Sequence, residues 1–143
     1  MRRRGFSLPE LVVVIGLTAL ASALTVPALL HARDRMAVQA AAEQIILAHR
    51  EARLAAINSQ QVALLRLAPD TLELRTVIGH DTTLVWRRPG PLAFGLEVIA
   101  NPRVLRFIPY GYTIGVSNMT ITLRKGRAQR KVIISRLGRV RVE

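Results

Sequence analysis

Arg2-Arg3-Arg4-Gly5-Phe6-Ser7-Leu8-Pro9-Glu10-Leu11-Val12 opens an apolar run that continues from Leu11 to Leu30 without a charged side chain. A helix of that length spans about 30 Å, the thickness of the hydrocarbon core of a bilayer. Only Gly16, Thr18, Ser22, Thr25 and Pro27 dilute the run. Glu10 stands at its head rather than safely outside it. A carboxylate in a membrane segment costs about 2.5–3.5 kcal/mol on insertion scales, so it marks a function and asks for a partner of opposite charge.

The arrangement resembles a class III signal, the leader of type IV prepilins. In that family a short basic leader ends in glycine, a membrane-embedded prepilin peptidase cuts after it, and the new terminal residue is N-methylated. The resemblance implies a leader over residues 1–5, cleavage between Gly5 and Phe6, methylation of Phe6, and a place in filament assembly for Glu10. The physics agrees with the implied role. Cleavage creates an α-amine at Phe6, and a buried amine and a buried carboxylate on neighbouring subunits would neutralise each other and set axial register. Pro9 departs from the aliphatic residue usual before this glutamate, but in the first turn of a helix its missing N–H has no helical partner to lose. Pro27 matches a proline that many members carry, and inside a helix it should kink or loosen the rod.

Two other readings of the same residues remain. The basic start, the apolar run and Ala21-Ser22-Ala23 fit an ordinary secretory signal with an A-x-A site, which would release a chain starting at Leu24. A plain signal-anchor helix is the third reading. Glu10 speaks against the secretory signal, because its apolar region has no use for an acid, and so does the Gly5-Phe6 junction.

After Leu30 there remain 113 residues, enough for one modest domain but not two. Half the chain is apolar, which argues against disorder, and the absence of cysteine excludes disulfides, thiol catalysis and cysteine metal sites. Residues 31–143 hold 18 Lys plus Arg against 8 Asp plus Glu, about +10. Sixteen of those cations are arginine, the side chain suited to forked contacts with phosphate or carboxylate.

From His31 to Ile57 the chain has no helix breaker and is rich in Ala, Arg, Gln, Glu and Leu. Val38, Ala41, Ile45, Ala48, Ala52 and Ala55 recur at steps of three and four, a narrow stripe of mostly small residues, while Arg35, Gln39, Glu43 and Arg50 fall largely elsewhere. The pattern predicts one helix over residues 6–57, roughly 75–80 Å long, membrane-spanning over about 8–30. Asn58-Ser59-Gln60-Gln61 should end it. From Val62 the period becomes two. Val62 to Leu67 and Thr71 to Ile78 read as a hairpin across Ala68-Pro69-Asp70, and Thr82 to Arg87 as a third strand. A loop-rich stretch from Arg88 to Pro109 should hold short strands at Leu92 to Val98 and Val104 to Phe107. Tyr112 to Val116, Met119 to Arg124, Lys131 to Ser135 and Arg139 to Val142 complete the series. The expected fold class is α+β: a long N-terminal helix, then a globular antiparallel β-sheet or β-sandwich domain over residues 58–143.

The closing pattern Ile108-Pro109-Tyr110-Gly111, Met119-Thr120-Ile121-Thr122-Leu123, Val132-Ile133-Ile134-Ser135 and Gly138-Arg139-Val140-Arg141 is similar to the GspH/FimT family of minor pseudopilins and minor pilins. That resemblance covers almost the whole chain. It implies a pilin-like fold and a filament subunit of type II secretion or of a type IV pilus. It also implies prepilin peptidase, other pilins or pseudopilins and the membrane as partners. The expected place is the cytoplasmic (inner) membrane, single-pass, with the globular domain outside the cytoplasm, and afterwards the filament.

Arg124, Lys125, Arg127, Arg130, Lys131, Arg136, Arg139 and Arg141 put eight cations into eighteen residues. FimT-like members that bind double-stranded DNA in transformation use a C-terminal Gly-Arg-x-Arg motif, which Gly138-Arg139-Val140-Arg141 matches. Two arginines two apart on a strand point the same way about 6.5–7 Å apart, a spacing that suits neighbouring phosphates, and such contacts are sequence-independent and salt-sensitive. The other reading makes residues 125–131 a solvated hairpin tip and places Arg139 and Arg141 on the outer face of an edge strand, where charge blocks aggregation.

Remaining chemistry is thin. His31, His49 and His80 have no ligand spacing, and no metal or cofactor is expected. Trp86, Phe94, Phe107, Tyr110 and Tyr112 read as core or loop-packing residues; Tyr110 and Tyr112, beside a basic strand, are the one pair to test for stacking on single strands. With no nucleophile elbow, phosphate loop or paired carboxylates, the chain is not read as an enzyme and no catalytic residue is assigned.

Overall fold

A computed structural model describes residues 7–101, 104–115, 118–135 and 137–143, the side chains of Asn101 and Asn118 excepted. Gly5, Phe6 and Arg136 lie outside the described residues. The chain divides into two compact units after Arg33.

One helix, α1 (Leu8–Ser59), runs through both. In the first unit its side chains are exposed throughout, and the helix is long and apolar enough there to cross a membrane. Pro9 lies in the first turn as expected, where Leu11 N–H already donates to Ser7 O at 3.1 Å. Pro27 sits inside the helix and has no N–H to give the carbonyl of Ala23. Thr18 and Thr25 turn their hydroxyls back onto carbonyls one turn earlier, the usual way to satisfy a hydroxyl on an apolar helix.

In the second unit α1 buries Val38, Ala41, Ala42, Ile45, Ala48, His49, Ala52 and Ala56. The predicted stripe is therefore real, widened by Ala42 and His49, with Ala55 only partly buried. Alanine at Ala48, Ala52 and Ala56 lets the helix backbone approach the sheets closely. The helix ends two residues later than expected. Gln60 takes the left-handed conformation after it (φ 53°), and its side-chain amide donates to Ile57 O at 2.8 Å. Asparagine or glycine is the commoner choice there; here a side-chain hydrogen bond accompanies the strain.

Among the described residues nine strands follow: β1 (Val62–Leu67), β2 (Thr71–Ile78), β3 (Asp81–Pro89), β4 (Glu97–Asn101), β5 (Val104–Phe107), β6 (Thr113–Ile114), β7 (Asn118–Lys125), β8 (Ala128–Ser135) and β9 (Val140–Val142). They form two antiparallel sheets, a five-stranded one in the order β3-β2-β1-β5-β6 and a four-stranded one in the order β4-β7-β8-β9. One core joins α1 to both, built on Ile45, Leu65, Leu72, Leu74, Phe107, Ile121, Leu123 and Ile134.

The strand expected at Leu92–Val98 begins only at Glu97, because Pro91–Phe94 form a 3-10 turn. Pro91 opens the turn with no donor, and Leu92 N–H donates to Pro69 O at 2.7 Å. Gly90 N–H likewise donates to Asp70 O at 2.7 Å. A Cβ on Gly90 would lie 2.5–2.7 Å from Thr71 N, Pro69 O and Asp70 C, so only glycine fits this backbone crossing.

Candidate functional site: two basic surfaces

Seven of the eight cations read as one cluster lie among the described residues and fall into two groups, and strand alternation decides which goes where. In β7, Met119, Ile121 and Leu123 face the core, which turns Thr120, Thr122 and Arg124 outward. In β8, Val132 and Ile134 are inward, so Lys131 points out, and Arg130 keeps the inward side as register partner of Leu123. Both strands are longer than expected. Lys125 pairs with Ala128, leaving only Gly126 and Arg127 as the turn, so Arg130 and Lys131 belong to a strand rather than to a solvated tip.

The inward group gathers against the start of the second unit's helix. Arg127 and Arg130 line a cleft of about 400 Å³ with Arg35, Val38, Gln39, Ala128 and Gln129. The hairpin turn closes on α1, since a Cβ on Gly126 would lie 2.9 Å from Asp34 Oδ2. Lys125 Nζ donates to Phe94 O at 2.9 Å and so ties the 3-10 turn to the same end.

The outward group spreads over the four-stranded sheet and its free edge. Arg141 is register partner of Ile133 on β8, and its guanidinium, 77% exposed, pairs with Glu143 at 3.1 Å. Arg124 has exposed Glu97 as its register partner on β4. Arg139 is exposed, and its N–H donates to Ser135 Oγ at 3.1 Å while its carbonyl accepts from Ser135 N–H at 2.8 Å. Gly138 adopts φ 76° and donates to Ser135 O at 2.9 Å, forming the tight turn into β9, which explains glycine before the Arg-x-Arg pair.

That turn has neighbours from elsewhere in the chain. A Cβ on Gly138 would stand 3.7 Å from Gly111 O and 4.0 Å from an Arg53 guanidinium nitrogen, and one on Gly111 would stand 3.0 Å from Arg53 Nε. Tyr110, 80% exposed, and exposed Tyr112 flank Gly111. The Gly138 turn, the tyrosine turn and Arg53 therefore meet at one end of the domain. Arg53 was not singled out from sequence; it lies among alanines on α1 with no periodic signal of its own.

Glu10 is exposed in the first turn of α1. His49 is buried at 2% exposure against Phe107, while Trp86 stacks beneath the Arg88 guanidinium at 4.3 Å. Phe94, read as a packing residue, is exposed. Among the described residues, no group of three or more His, Asp or Glu side chains could hold a metal ion.

No protein-family model matches the chain, and no curated protein sequence matches it. Solved structures do. The type IV minor pilin FimU of Pseudomonas aeruginosa, in crystals of space group P65, is similar with a TM-score of 0.60 and 20% identity over 73% of this chain and 91% of that one. In space group P21 FimU gives a TM-score of 0.63 and 19% identity over 74% of this chain and 87% of that one. The minor pseudopilin EpsH from the type 2 secretion system of Vibrio cholerae gives 0.60 and 14% identity, covering 74% of this chain and 95% of that one. The likeness is one of fold: a long N-terminal apolar helix followed by antiparallel sheets, the pilin-like α+β arrangement that the sequence led us to expect.

Proposed function

We propose that the chain is a minor pilin or pseudopilin, a subunit of a type IV pilus or of a type II secretion filament. In this reading prepilin peptidase cuts between Gly5 and Phe6, Phe6 is methylated, and the helix anchors the chain once across the cytoplasmic membrane with its domain outside. Filament assembly then proceeds through the same helix. The observation that carries the reading is the two-part character of α1: exposed and apolar with Glu10 in its first turn, then buried by small residues under a pilin-like pair of sheets. Outside lipid, such an apolar surface is stable only against equivalent helices. Pairing Glu10 with the Phe6 amine of a neighbour would neutralise the acid there.

The test is Glu10→Ala in cells that carry the filament machinery. Processing should persist, read from the N-terminal residue of the mature chain by mass spectrometry, while incorporation into sheared filaments is lost. Normal incorporation of the variant would remove the assembly role of Glu10.

A second reading, capture of double-stranded DNA during uptake, is favoured by the meeting of the Gly138 turn, which leads into exposed Arg139 and Arg141, with Gly111, between exposed Tyr110 and Tyr112, and with Arg53. Here Gly138 shapes the turn and the arginines contact phosphates, with Arg124, Lys131 and Arg136 adding to the field. Full-length protein in neutral detergent should bind random-sequence duplex with an affinity that falls with salt, and Arg139→Ala with Arg141→Ala should flatten that dependence. Binding indifferent to both substitutions would leave filament assembly as the sole role.

A further inference from the structure

We propose that the cleft formed by Arg35, Arg127 and Arg130 holds the phosphate of an anionic phospholipid headgroup while the subunit still resides in the membrane. The proposal rests on the anchoring reading above. Three guanidinium-bearing residues and no acid line the cleft of about 400 Å³, together with Val38, Gln39, Ala128 and Gln129. None of the three arginines is paired in an ion pair among the described residues. Forked donors converging on one volume suit a phosphate monoanion.

The position of the cleft selects the source of that phosphate. Arg35 follows Leu30, the last residue of the apolar run, by five residues, and five residues of chain reach at most about 18 Å. Whatever the course of the chain between them, Arg35 stays within that reach of the end of the apolar run, of which the headgroups occupy about the first 5–8 Å beyond the hydrocarbon. The hairpin turn at Gly126 meets Asp34, which brings Arg127 and Arg130 beside Arg35. Lys125 binds the carbonyl of Phe94 there, and the 3-10 turn exposes Leu92 and Phe94 beside it. Cations flanked by exposed apolar side chains are what an interfacial surface carries.

Asp34, Glu43 and Glu97, the last the register partner of Arg124 on β4, are the acids near this region. Asp34 sits at the hairpin turn, and Glu43 lines the next cleft along, with Arg130, where it accepts from Gln39 Nε2 at 3.1 Å. They offset part of the charge, and Lys125 and the three arginines leave the end of the domain cationic. The Gly138-Arg139 end is separate: Arg53 lies eighteen residues beyond Arg35, about 27 Å along the helix.

Full-length protein in neutral detergent is titrated with phosphatidylglycerol and with phosphatidylcholine of the same chain length, and bound lipid is counted by native mass spectrometry. Phosphatidylglycerol should be preferred by about tenfold or more, equivalent to about 1.4 kcal/mol. The Arg35→Ala, Arg127→Ala, Arg130→Ala variant should lose the preference, whereas the three Arg→Lys changes and the Arg139→Ala, Arg141→Ala variant keep it. Circular dichroism checks that each variant is folded; the Arg35→Gln, Arg127→Gln, Arg130→Gln variant, which should lose the preference too, carries the test if the alanine one is not. Equal binding of the two lipids, or a preference that survives the alanine triple variant in folded protein, overturns the proposal. So does full competition by equimolar glycerol phosphate, which would make the ligand a free phosphate, or loss of duplex DNA binding in the triple variant with lipid preference intact. Alkaline extraction of membranes separates the two failures. Release of the chain into solution removes the anchoring reading and the proposal together, while a retained chain without lipid preference removes the proposal alone.

Discussion

His49 meets Phe107 edge-on, ring centroids 5.1 Å apart and planes inclined at 72°, with neither imidazole nitrogen hydrogen-bonded. An aromatic edge contact of this kind stabilises the packing of α1 on β5, but the two nitrogens gain nothing from it. Burial, followed by the charges of Arg53 and Arg50, pushes the His49 pKa down to about 4.

The sign of the pH effect follows. The unfolded chain takes up the proton near pH 6.5 and the folded one only near 4, so the stability His49 permits is complete above pH 6.5 and declines as pH falls to about 4. With screening at the rim of the site the loss is on the order of 2 kcal/mol. His49→Leu should match or exceed the parent at pH 7 and lose this slope. Thermal unfolding between pH 4 and 7 reads both.

Glu73 accepts from Arg87 at 2.6 Å across β2 and β3, with Arg75 at 3.4 Å on its other side, and its carboxylate is only 7% exposed. Burial alone would raise its pKa; the Arg87 hydrogen bond and the charges of Arg87, Arg75 and Arg66 outweigh it and hold the carboxyl below its usual value. This contribution is present above pH 4.5 and is lost as pH falls below it, a window more acidic than that of His49. Glu73→Gln should lower the melting temperature at pH 7 and bring the parent and variant curves together toward pH 3.

Ala52 is fully buried on the face of α1 that meets the sheets. Ala52→Leu adds volume where the backbone itself sets the spacing, and should cost about 1–3 kcal/mol. Ile45→Ala errs the other way, leaving a cavity and costing about 2–5 kcal/mol. Denaturant midpoints with an unchanged m-value would attribute both losses to packing.

Gly90→Ala drives a methyl group into three backbone atoms of the β1–β2 turn. Neither strand can retreat without breaking the bonds from Gly90 and Leu92 to Asp70 and Pro69, so a loss of about 3 kcal/mol is expected by chemical denaturation.

Glu143 occupies the guanidinium of Arg141 at 3.1 Å. If duplex DNA binds at this edge, Glu143→Gln frees a cation and should steepen the salt dependence of binding by about 0.9 in log–log slope. An unchanged slope would show that Arg141 meets no phosphate.

The hairpin β1–β2 was legible to the residue, because alternation and Pro69-Asp70 leave little freedom; the stripe of α1 was legible in its course, with Ala56 buried where Ala55 was expected and Ala42 and His49 added. Residues 91–94 were not: Leu92 and Phe94 alternate like a strand, and only the hydrogen bond from Leu92 to Pro69, far back in the chain, decides for a 3-10 turn. The basic run was visible as charge but not as geometry. Its division depends on a two-residue turn at Gly126-Arg127, and a turn of four residues would have extended the tip to meet the expectation. Arg35 and Arg53, each at one end of the domain, became neighbours of these cations through tertiary contact alone.

The alternation of β8 gives the protein two independent handles. Even-numbered Arg130 serves one end of the domain and odd-numbered Lys131 the outer face, although they are adjacent in the chain. Substitution can therefore tune one surface and leave the other untouched. Inserting a single residue between Lys131 and Val132, with Val132 held in the core, would exchange them, sending Lys131 toward the helix and Arg130 to the open face. Drift by point mutation can separate the two surfaces; drift by insertion swaps them.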